Sequence, residues 1–89
     1  MLKIKKDYVL KKMGDGFVVV TVGEASKEFN GMIRLNKPSA FVWEQMEKGI
    51  EKEDLLKLML YKFEDLDEET AREDLESFLD KIAVAIEES

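Results

Sequence analysis

The residues able to do chemistry are few. The 89-residue chain has no histidine and no cysteine, which removes imidazole acid–base work, thiol nucleophiles and thiolate metal sites. Ser26, Ser39, Ser77 and Ser89 have no base to activate them. Carboxylates are plentiful and crowd into "DLDEETAREDLESF". Their spacing follows the polar face of an amphipathic helix, where acids suit the first turn and face water. Asp65-x-Asp67 opens like a calcium loop and Glu76 stands where its closing ligand would, but Thr70 holds the position that needs glycine. The helical periodicity of the same stretch reads as capping instead. The expectation is a protein with no catalytic residue, no metal site and no cofactor.

Charge narrows the partners. The net charge is -6, unevenly spread. Residues 1–37 carry eight Lys/Arg against four Asp/Glu, and residues 38–89 carry six against sixteen. Such a dipole can steer a charged partner. Nucleic acid is a poor fit, because Asp67–Glu88 holds nine acids against Arg72 and Lys81 and would repel phosphates. No apolar run is long enough to span a bilayer, and "MLKIKKDYVL" lacks the apolar core of a signal peptide. The absence of cysteine fits a cytoplasmic location. The length suits one domain over residues 1–89.

The elements that would position a binding site follow from periodicity. Tyr8–Met13 and Phe17–Val22 are rich in β-branched and aromatic residues, and "GDG" between them is a hairpin signal. A third strand runs over Phe29–Leu35, with Asn30-Gly31 as a turn or a bulge. Asn36 and Pro38 open a first helix that stops at Gly49. Lys52–Phe63 is apolar nearly all round, which predicts the central helix. Asp67 is the nearer cap for a third helix, ahead of Asp65 with its capping-box partner Glu68. The apolar stripe of that helix is Ala71, Leu75, Phe78, Leu79, Ile82 and Ile86. Strands grouped before helices predict an α+β layer, a three-stranded antiparallel sheet followed by a three-helix bundle.

A meander of three strands has two edges. The third strand is an edge with no proline and a single charge, Arg34. Such an edge is kept short, hidden by the chain's own N-terminal segment, or used. If used, an extended peptide adds as a fourth strand and apolar pockets read its alternate side chains. On this reading Ile33→Pro removes an edge donor. A structural or assembly module, with the same edge making a homodimer or docking on an enzyme, is the second reading.

From Leu35-Asn36 through the Trp43-Glu44 pair, Gly49, the Leu-rich helix and "LDEETAREDLESFL", the chain resembles the coenzyme PQQ synthesis protein D (PqqD-like) family. "GEASKEFNGMI" fits the same family upstream. The resemblance implies a winged helix-turn-helix-like domain that acts as a peptide chaperone. Such a domain recognises ribosomally made precursor peptides, takes the leader as a strand beside its third helix, and presents it to a modifying enzyme, often a radical SAM protein. Carried over, the peptide-binding residues are Phe29, Asn30, Gly31, Met32, Ile33 and Arg34 on the strand, with Leu75, Phe78, Leu79 and Ile82 on the helix. The chain ends "IAVAIEES" without the family's glycine, so the third helix is expected to run on to the terminus.

Overall fold

The computed structural model describes residues 1–28 and 31–88. In chain order the strands are β1 (Leu2–Ile4), β2 (Tyr8–Met13), β3 (Gly16–Thr21), β4 (Met32–Leu35) and β5 (Ile86–Glu88). The helices are α1 (Ala25–Glu28), α2 (Lys37–Met46), α3 (Lys52–Lys62) and α4 (Glu68–Lys81), and a 3-10 turn spans Ala83–Ala85. The expected α+β arrangement is present: β2, β3 and β4 form an antiparallel meander in that order, followed by three longer helices.

The hairpin joining β2 to β3 pairs Met13 with Gly16, leaving Gly14 and Asp15 as a two-residue loop. Gly14 has φ +61°, so the first loop position supplies the positive φ, as in a type II′ turn. Within "GDG", an Asp-Gly pair in the loop would place Asp15-Gly16 at its centre. The turn instead uses the glycine one step earlier, and Gly16 enters the strand.

Asn36 caps α2, its side-chain oxygen accepting from the Ser39 N–H at 2.9 Å. Pro38 sits in the first turn, where its missing N–H costs nothing. Asp67 caps α4, accepting from the Thr70 N–H at 2.8 Å. That donated backbone bond holds the Asp67 carboxyl below its ordinary value.

Burial corrects the expected centre. In α3, Leu55, Leu56 and Met59 are buried but Tyr61 is 86% exposed. Helix α2 is the central one, with Trp43 and Met46 at 0% exposure and contacts to β1, β3, β4 and α3. The leucines of α3 mislead because Leu58 and Leu60 pack only partly, on the flanks of one buried face.

The last helix also departs from expectation. Helix α4 ends at Lys81, and the chain then turns through Ala83–Ala85 into β5. β5 pairs antiparallel with β1, Ile86 opposite Ile4. The Lys5 N–H donates to the Ala85 carbonyl at 2.9 Å. On its other side β1 exchanges two backbone bonds with Ile50, at 2.8 and 2.9 Å. Ile82 and Ala85 are both at 0% exposure. A 3-10 turn buries this closely spaced pair, and the strand partner then satisfies the backbone of Ile86–Glu88, so no glycine stop is needed.

Two outcomes test this packing. Leu55→Ala should cost about 2–5 kcal/mol in urea unfolding, as other buried leucine truncations do, and a loss below about 1 kcal/mol would place the core elsewhere. The Asp67 carboxyl is depressed in the folded state from 3.8. Its stabilisation is therefore present above that unfolded value and lost as pH falls through the folded one. Thermal melts between neutral pH and about pH 3 should lose midpoint at the acid end, and Asp67→Asn, which keeps an acceptor, should remove part of that loss.

Candidate peptide-binding edge

The register of the meander decides which backbone groups are free. β4 pairs only with β3 among the described residues, with Phe17 opposite Leu35, Val18 opposite Arg34, Val19 opposite Ile33 and Val20 opposite Met32. Met13 and Gly16 flank the two-residue loop, which makes them a hydrogen-bonded pair. Alternation then turns the Val18 and Val20 groups toward β2 and the Phe17 and Val19 groups toward β4. Ile33 and Leu35 are thus the residues bonded to β3. The N–H and C=O of Met32 and Arg34 point outward, away from the sheet. The Ile33→Pro expectation is corrected accordingly: its N–H belongs to the ladder, and the edge donors are those of Met32 and Arg34.

Side chains follow the same alternation. Ile33 and Leu35 are buried in the core, while Met32 is 52% exposed and Arg34 is exposed on the other face. The opposite edge, β2, carries Lys11 and Lys12, charges that discourage strand addition. The N-terminal segment does not cover β4, because β1 is committed to β5 and Ile50.

One group of the open edge has a partner from α4. The Lys81 ammonium donates to the Arg34 carbonyl at 3.0 Å. Lys81 also lines two open clefts, of about 580 and 530 Å³, that share Asn36, Ser39 and Lys81. The larger lies between α2, α3 and α4, with Val42, Met59, Phe63, Leu75 and Phe78 among its walls. Phe41 meets Phe63 edge-on at 5.7 Å, and Lys62 stands over the Phe41 ring, which fixes α2 against the end of α3. The smaller runs past Arg34 and Leu35 to the β2–β3 turn.

Helix α4 is held against α3 by exposed ion pairs. Arg72 donates to both Glu53 oxygens at 3.0 Å and to Glu68 at 3.3 Å. The bonded Arg72 side chain lowers the Glu53 pKa, and Glu53 raises that of Arg72. Lys52 pairs with Glu76.

The residues expected at the site are distributed as follows. Gly31 is exposed just before β4, and Met32, Ile33 and Arg34 form it. Phe29 and Asn30 lie outside the described residues. Leu75 and Phe78 line the larger cleft. Ile82 is wholly buried in the core, and Leu79 lines a separate cleft with Leu2 and Ile86. Lys81 was missed. Its partner is 47 residues away in sequence, so no local pattern points to it. Among the described residues no group of three or more His, Cys, Asp or Glu could hold a metal ion. No described helix is long and apolar enough to cross a membrane.

The fold is thus a short antiparallel meander whose β4 edge, unpaired among the described residues, lies beside an amphipathic helix. The chain matches the coenzyme PQQ synthesis protein D (PqqD) family over residues 16–85, and it belongs to that family. A solved structure, TbiB1 in complex with the TbiA(beta) leader peptide, superposes with a TM-score of 0.77 at 20% identity, covering 98% of this chain and 96% of that one. No curated protein matches.

The register yields a direct check. In hydrogen–deuterium exchange read by NMR, the Met32 and Arg34 amides should exchange well ahead of those of Ile33 and Leu35. The reverse order would shift the pairing by one residue and close the proposed edge.

Proposed function

We propose that this chain is a non-catalytic domain that binds the leader segment of a ribosomally made precursor peptide. The leader adds antiparallel to β4 beside α4, and the domain presents it to a modifying enzyme, of the radical SAM kind in the first instance. The observation that carries the reading is the outward-facing backbone of Met32 and Arg34, next to a cleft walled by Leu75 and Phe78. A guest strand would satisfy those groups, and its side chains on the α4 side would reach the apolar wall. Membership of the PqqD family and the fold shared with TbiB1, whose structure holds a leader peptide, support the same reading.

The edge-paired homodimer is the weaker alternative. Two β4 strands paired about a twofold axis would bring two copies of Arg34 and Lys81 within a few residues of each other. Like charges so placed oppose pairing.

Titration of isotope-labelled protein with the precursor peptide encoded nearest its gene tests the proposal. Amide shifts should centre on Gly31–Leu35 and spread to Leu75 and Phe78. Met32→Pro removes one outward donor at the start of the strand, where proline is tolerated. It should weaken binding by about two- to tenfold, the range for one lost hydrogen bond, with unchanged circular dichroism. Shifts confined to another surface, or full affinity in the proline variant, would sink the assignment.

A further inference from the structure

We infer that Lys81 is a charge-reading latch on the β4 edge. In the free protein it holds the Arg34 carbonyl, and on strand addition it moves to an Asp or Glu side chain of the guest. This deepens the strand-addition reading and rests on it.

Two observations carry the inference. First, the bond from Lys81 to the Arg34 carbonyl occupies an outward acceptor that a guest strand needs for its own N–H. A guest N–H competes with the ammonium for that oxygen, and on this inference the ammonium gives way. Second, the cations at this edge make no ion pair among the described residues, although Asp15, Asp65 and Asp74 line the neighbouring clefts. The chain has more acids than bases, and Arg72 and Lys52, which reach α4 residues, are met by Glu53, Glu68 and Glu76. Among the described residues, Arg34, Lys37 and Lys81 have no carboxylate within 4.0 Å. Three cations without an ion pair beside the β4 edge are complementary to an acidic peptide, Asp15 of the β2–β3 turn being the one carboxylate residue that lines the cleft of Arg34 and Lys81.

The exchange is favourable on both sides. The guest N–H takes the neutral carbonyl, and the ammonium trades that carbonyl for a carboxylate, a stronger partner. The long lysine stem lets the head swing without moving α4. Alternation places the reading position. The guest residue opposite Arg34 shares the face of the Arg34 side chain, so its sequence neighbours face α4. The acidic residue that Lys81 reads is one of those neighbours.

Peptides selected for wild-type binding from a random short-peptide display library provide the probe. Each is remade with its acidic residue changed from Glu to Gln, or Asp to Asn, and measured against wild type and Lys81→Met. Met32 and Arg34 amide shifts report where it binds, and thermal melts confirm that the variant is folded. The selected peptides should carry an acid at one fixed place. Its neutral replacement should weaken binding to wild type by about two- to fivefold, as expected for a partly exposed charge pair, and to Lys81→Met by less than about 1.5-fold. If Lys81→Met discriminates as well as wild type while the edge amides still shift, the latch is wrong and strand addition survives. If the selected peptides leave those amides unmoved, strand addition itself fails and the latch falls with it.

Discussion

The pairing of β4 with β3 is the constraint on which the rest depends. A four-residue strand has room for one choice of parity. Burying Ile33 and Leu35 in the core sets one face, and the two-residue loop at Gly14-Asp15 sets which residues of β3 remain available to β4. The two agree, so the groups of Met32 and Arg34 must point out of the sheet. A slip by one residue would expose both core side chains and reverse every bond at the edge. The apolar face and the bare edge are thus fixed by one decision.

An open edge also requires that nothing nearer should fill it. The first strand is the natural competitor, since its alternation of Leu2 and Ile4 about Lys3 suits a half-buried strand. It is engaged elsewhere, held between β5 and Ile50 by backbone bonds on both sides. Leu2 and Ile4 are buried there, so moving them to β4 would sacrifice core contacts for hydrogen bonds of roughly equal worth. Brevity and charge both oppose the pairing of two such edges.

Local chemistry was legible in the sequence. Asn36, Pro38 and Asp67 mark helix starts through side-chain bonding that depends only on neighbours, and the structure uses all three. The strand grouping and the two hairpin strands follow from β-branched and aromatic content on either side of "GDG". Long-range choices were not legible. The β1–β5 pair joins two three-residue strands from the ends of the described chain, too short to show a period and too distant to predict a partner. Leu58 and Leu60 look like core residues in composition, yet only the placement of α2 decides that they flank it. Of the stripe on α4, Leu75, Phe78 and Ile82 share buried surroundings, whereas Leu79 turns to the β1–β5 side. One helical face spans both neighbours, and periodicity alone cannot divide it.

The end of α4 joins these levels. Continuation of the helix would have given Ile86 a place on the stripe but left β1 with an unpaired side. Breaking at Lys81 supplies β5 to β1 and sends the last helical side chain toward β4 instead of along a further turn. A cation at a helix C-terminus is favoured by the carbonyl dipoles there, so Lys81 is stabilised where it stands without an ion pair among the described residues. That leaves its charge uncommitted, at the one point where the strand edge and the helical cleft meet. The same C-terminal strand that secures the core therefore positions the group that bonds the Arg34 carbonyl at the strand edge.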